Sequence, residues 1–232
     1  MNSSLVKEVL AILRKEWLAE MRTKNNLLGA SLFSLISVIA MAFASVGQIP
    51  TATLSAGMFS IVMLFSASLS LPRVFLLEDE QRTTDLLKLW ARPVPVFLGK
   101  LLYASLLMLF TSFALICLFS IFVQVNIINP LLIILALVIE SFTLAGAMSI
   151  CGMLVSGASN RWITVVVVAL PLLLPQIAMC IGALKVGFGE GTVAGGWQNL
   201  TGLLFFAVAI LAIGPILAEF MNQRAVSVQR ND

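Results

Sequence analysis

A chain of 232 residues that is 60% apolar and 11% charged, with a mean hydropathy of +1.05, cannot clothe a globule in water-facing side chains. An ordinary soluble domain is about 25% charged, so lipid is the expected solvent. The net charge of +3 does not point to nucleic acid, because the basic residues flank apolar runs. The sequence has no histidine, which removes the commonest metal ligand, general base and haem ligand together.

The first segment, Ser4–Met21, places Val6, Val9, Leu10, Leu13, Trp17 and Met21 on one helical face. Lys7, Glu8, Arg14, Lys15 and Arg22 occupy the other. The expectation is an interfacial amphipathic helix over residues 1–25, with Trp17 at headgroup depth and the basic stems snorkelling. Its use is either a plain anchor or an elbow packed against the bundle beside a cytoplasmic partner. The segment is charged throughout and lacks a short apolar core followed by small residues, so no cleavable signal peptide is expected.

Crossing the hydrocarbon core takes about 20 mostly apolar residues. Six stretches qualify: Leu27–Val46, Thr53–Leu71, Val96–Val123, Leu131–Val155, Ile163–Leu184 and Leu200–Leu217. They predict an all-α membrane protein with a bundle over 26–218 and a cytoplasmic tail over 219–232, all one membrane domain. Pro171 and Pro175 interrupt the fifth span and each removes a backbone donor there. With the N-terminus inside, Lys185 is the only one of the 14 Lys and Arg residues that falls outside. That asymmetry predicts two cytoplasmic termini.

Between the second and third spans lies RVFLLEDEQRTTDLLKLWARPVPVFLGK, residues 73–100. Glu78, Asp79 and Glu80 put three acids in one turn. Thr84 can cap a new short helix with Asp85 in its first turn. Leu86, Leu87, Leu89 and Trp90 give that helix an apolar side before Pro93 and Pro95 end it. It has no catalytic constellation. It is either an ordinary interfacial helix or one that docks into a groove on a soluble protein.

The fourth span carries Glu140, roughly 13 Å below the outer surface at 1.5 Å per residue. A charge at that depth costs on the order of 3 kcal/mol or more, so the side chain should face the bundle or a wet cavity. A substrate path, a proton-coupled site and a protonated acid bonded to a neighbouring helix all remain open. Ala145, Gly146, Ser149, Gly152 and Ser156 follow at three- and four-residue spacing and suit close helix packing. The 10 methionines are dispersed through the spans and read as core or lipid contacts.

Cys117, Cys151 and Cys180 all fall in apolar runs, and their odd number argues against a disulfide framework. They read as small buried hydrophobes, the rival being thiolate ligands for a metal or haem. After the fifth span, Gly187, Gly189, Gly191, Gly195 and Gly196 predict a flexible outer loop, with Trp197 marking the return to the interface. That loop follows no strand and carries no Lys-Ser/Thr, so it is not a phosphate loop.

The 73–100 segment resembles ABC-2 type permeases, in which an acidic-Gly-Thr-apolar-acidic-x-Leu pattern and a Pro stand between spans two and three. Glu80, Thr83, Asp85, Leu87, Pro93-Val94-Pro95 and Gly99-Lys100 fit it. The closer resemblance is to the haem exporter B family, the permease of the cytochrome c maturation ABC system. Arg73, Phe75, Glu78, Asp79, Leu87, Leu89, Pro95 and Lys100 follow that family's pattern, as do Arg161 and Leu170-Pro171-Leu172-Leu173-Leu174-Pro175. Arg82 stands where the pattern has glycine, and a Trp common on its second or third span is absent. The likeness extends over about residues 5–220 in span count and motif order.

The resemblance implies a permease subunit, not an enzyme, in a bacterial inner membrane. It implies an ABC ATP-binding partner, a homodimer, and work with other cytochrome c maturation membrane subunits and a haem chaperone. ATP and haem would be handled through those partners, with no cofactor, metal or nucleic acid bound by this chain itself. ATPase coupling would fall on Glu78, Asp79, Glu80, Asp85, Leu87 and Trp90. A permease exporting a drug, lipid or polysaccharide and a non-transporting assembly scaffold are the alternatives.

Overall fold

The computed structural model describes the chain except residues 1, 24, 46–47, 81–91, 156–160 and 230–232. At 2–4, 23, 25–26, 75–80, 161 and 222–229 it describes the course of the backbone alone. Among the described residues the regular structure is helical: α1 (Asn2–Thr23), α2 (Asn25–Ala44), α3 (Ala52–Glu80), α4 (Pro93–Leu118), α5 (Pro130–Leu154), α6 (Arg161–Gly187) and α7 (Val193–Gln229). A π turn, Phe119–Val123, closes α4 and ends at Gln124 in the left-handed region.

Helices α2 to α7 are six helices long and apolar enough to cross a membrane, as expected. Their cores fall where the sequence places them, and the second, third, fifth and sixth of these helices run past the expected bounds. The third begins at Pro93, whose missing N–H is harmless in a first turn. The sixth begins at Val193 and runs on to Gln229, through the stretch expected as a tail. Polar Gln198 and Asn199 do not break it, since Asn199 returns a side-chain hydrogen bond to the Gly195 carbonyl at 2.8 Å.

The centre of the bundle is α5. In its apolar window 67% is buried, against 17% for α2 at the edge. Small residues make this possible. A Cβ on Gly146 would come within 2.4 Å of Ile210 on α7, so glycine lets those two helices touch backbone to side chain. Gly182 against Asn199 and Gly202 against Met179 do the same between α6 and α7.

The glycines of the expected flexible loop serve close approach. Gly187 lies against Ile133, and Gly196 lies against Leu132 and Val186. Gly189 and Gly191 adopt φ of 106° and 105°, which a side chain would strain. The Gly187 carbonyl accepts from both Ile128 and Asn129 at 3.0 Å, locking the start of α5 to the end of α6. Glu190 then accepts the Thr53 N–H at 2.9 Å, so this loop caps the N-terminal end of α3.

The three cysteines are free, with Cys151 and Cys180 buried and Cys117 exposed on α4.

Candidate functional site

Toward its C-terminal end, α3 passes Pro72 and continues helically to Glu80. Glu78, Asp79 and Glu80 form its last turn, but their side chains, like that of Phe75, lie outside the described residues. So do Asp85, Leu87 and Trp90 and the short helix expected around them. What is described is the socket from which the segment springs. Pro72 has no N–H to give the Ser68 carbonyl, which weakens the helix there. The next two residues are gripped from opposite sides. The Arg73 guanidinium lies 5.7 Å from the ring centroid of Trp162 on α6. The Val74 carbonyl accepts from Lys100 Nζ on α4 at 3.1 Å, and that lysine is buried.

The far side of the segment is equally anchored. Arg92, in extended conformation, donates to Glu8 of α1 at 2.8 Å, and α4 starts immediately after with Pro95 buried. Arg161 opens α6 directly before Trp162, with only its backbone described. The structure therefore brings Arg73, Pro95, Lys100 and the start of α6 to one end of the bundle. Pro171 and Pro175 stand apart, exposed on an unbroken α6. Trp162 is the residue that the sequence reading passed over here. Its clue was its place beside a basic residue at the start of a span.

Helix α1 packs on α4. It buries Val9, Ile12, Glu16 and Glu20, whereas Val6, Leu10, Trp17 and Met21 are exposed. The expected apolar face is thus split, with Val9 turned inward and most of the stripe left facing out. Ile12 meets Gly99 so closely that a Cβ there would lie 2.7 Å away. Glu20 accepts from the Tyr103 hydroxyl at 3.1 Å and from the Leu27 N–H at 2.9 Å, joining α1, α2 and α4.

Glu140 is 1% exposed at the centre of α5. Among the described residues neither carboxyl oxygen has a hydrogen-bonding partner of good geometry. The Cys180 thiol of α6 lies beside it, and the Ser60 hydroxyl of α3 lies beside that thiol. Gln176, one turn away from Cys180 on the same buried stripe, has an amide oxygen equally without a partner. Among the described residues no group of three His, Cys, Asp or Glu side chains could hold a metal.

Six helices long and apolar enough to cross a membrane, in a chain whose described regular structure is helical, define a multi-pass membrane protein. Residues 7–228 match the family model described as CcmB protein, nearly the whole chain, and the chain belongs to that family. This is the haem exporter B family that its motifs resemble, ABC permeases of haem transport and cytochrome c maturation. Among curated proteins nothing matches.

Proposed function

We propose that this chain is the permease subunit of an ABC complex that handles haem in cytochrome c maturation, in the inner membrane with both termini cytoplasmic. An ATP-binding partner supplies the energy, and two copies of the chain form the membrane core beside further maturation subunits and a haem chaperone. The partner's closure pushes on the segment from Glu78 to Trp90 and on α1. The observation that carries this reading is the double grip behind that segment, with Arg73 on Trp162 and Lys100 on the Val74 carbonyl. A push on residues 78–90 cannot be absorbed at Pro72 alone. It passes to α4 and α6 through rigid contacts, which is what a mechanical permease requires.

Membership in the family supports the cargo assignment, and the acidic turn supports the docking one. The test is co-purification of the complex from membranes, followed by ATP turnover. Reversing the charge at Glu78, Asp79 and Glu80 together should release the ATPase or at least halve turnover, while the six-span body stays folded. Unchanged binding and unchanged turnover would refute the coupling role. Recovery of the chain with no ATPase under any extraction would favour a scaffold.

A further inference from the structure

Unsatisfied polar atoms gather at one depth in this protein. Both oxygens of Glu140, the amide oxygen of Gln176 and the hydroxyl of Ser60 are buried without a hydrogen-bonding partner among the described residues. Each of these side chains is 1% exposed, and Cys180 between them is 0% exposed. Measured from the outer ends of their helices at ~1.5 Å per residue, Ser60 lies about 12 Å in, Glu140 about 15 Å and Gln176 about 16 Å. Those outer ends are tied by the bonds to the Gly187 carbonyl and by Glu190 on Thr53, so the three side chains share a level within one helical turn. The three helices that carry them, α3, α5 and α6, pack on one another.

The surroundings narrow the choice of occupant. Between Ala52 and Pro72, α3 has no titratable side chain, and α5 has none besides Glu140 and Cys151. On α6, Cys180 faces the site, while Lys185 stands in the last turn at the outer end. On α4, Lys100 and Tyr103 are engaged at the inner end by Val74 and Glu20. Glu219 of α7 also lies toward the inner end. No described cation therefore meets the carboxyl. One carboxyl, one amide and one hydroxyl fall short of the six or more oxygens that a calcium cage provides. A proton needs no cage, and water bonds the remaining acceptors where buried polar groups have none in the protein.

We propose that Glu140, surrounded by Ser60, Gln176 and Cys180, is a hydrated proton-binding site in the outer half of the bundle. The carboxyl takes its proton from water reaching that level, and the thiol, hydroxyl and amide order the water around it. The site joins three helices, so gain or loss of the proton changes how α5 sits against α3 and α6. This inference needs only the bundle, and it stands or falls separately from the coupling role proposed above.

Infrared spectroscopy of the full chain in lipid nanodiscs at neutral pH tests it without an ATPase. The expected result is a neutral carboxylic-acid carbonyl band that is lost in Glu140→Gln and moves to lower frequency within minutes in D2O. Gln176→Leu and Ser60→Ala should each shift that band. Three results would overturn the proposal: no such band, a band that D2O leaves in place, or a band that sodium removes at constant pH. Should Glu140→Gln fail to fold, carbodiimide labelling of the wild-type chain replaces it. The acid oxygen bonds to the carbodiimide carbon, the acid proton moves to nitrogen, and acyl transfer leaves an N-acylurea on Glu140. The labelling rate should fall several-fold as pH is raised; a rate indifferent to pH, or no adduct, counts against the site.

Discussion

Glu20 on α1 and Tyr103 on α4, 83 residues apart in the chain, meet in a buried hydrogen bond of 3.1 Å. The same carboxylate accepts the Leu27 N–H with its other oxygen, so one side chain fixes α1 against α4 and turns the chain into α2. Tyr103→Phe should cost about 1 kcal/mol, the usual worth of one hydrogen bond. Glu20→Ala should cost more, because it also strands the Leu27 N–H and opens a gap. Thermal unfolding in detergent of both single variants and the double measures this. A double variant that loses less than the sum of the two single losses is expected; strict additivity would mean that the two side chains do not interact.

The crossing of α5 and α7 depends on the absence of a side chain at Gly146. A methyl there would sit 2.4 Å from Ile210 Cγ2, far inside contact distance. Glycine-to-alanine exchange ordinarily favours a helix by about 1 kcal/mol. Overpacking of a core costs about 1–3 kcal/mol, and at this separation it dominates. Gly146→Ala should therefore destabilise, and adding Ile210→Ala should recover most of the loss. If Gly146→Ala raises the unfolding temperature, the crossing is looser than the structure has it.

Much of this architecture was legible because period and hydropathy carry it. Runs such as Leu131–Val155 and Ile163–Leu184 are too long and apolar for anything but a span, even with Pro171 and Pro175 inside one of them. The face that α1 buries was not legible. Glu16 and Glu20 carry no signal of burial in the sequence, and Tyr103, far along the chain, supplies the partner of Glu20. The close contacts of Gly187, Gly189 and Gly196 were not legible for a related reason. Glycine signals either freedom or close approach, and only Ile133, Leu132 and Ile128 across the contact decide between them. Glu140 stood out as a lone acid in an apolar run, whereas Ser60, Gln176 and Cys180 look like ordinary small or polar residues until three helices bring them to one level. The acidic turn at Glu78–Glu80 ends α3 as a helix, and its side chains fall outside the described residues.

The two grips behind that turn should differ in strength. Lys100 is 4% exposed and gives a charged donor to the Val74 carbonyl, a class of bond worth about 1.5–3 kcal/mol. Arg73 is exposed, so its contact with Trp162 falls near the lower end of cation–π energies, about 0.5–1 kcal/mol. Lys100→Met should accordingly lower stability more than Trp162→Leu does. Denaturation in mixed micelles compares them. The reverse order would mean that the methionine recovers in apolar packing what the ammonium loses.

Glu190 makes the N-terminal end of α3 sensitive to acid. Its carboxylate accepts the Thr53 N–H at 2.9 Å, in the first turn of the helix where the dipole favours negative charge. That bond, with Lys185 nearby, holds the Glu190 carboxyl below its ordinary value. The folded chain thus binds this proton less readily than the unfolded chain, whose glutamate titrates near about 4.3. The stabilisation is complete above that unfolded value and is lost as pH falls through the lower folded one. In Glu190→Gln the amide oxygen can still accept the bond, but the charge and its titration are gone. Wild type should be the more stable at neutral pH, and the gap between the two unfolding temperatures should narrow as pH drops below about 4. A gap that stays constant through that range would show that the charge of Glu190 contributes nothing at the mouth of α3.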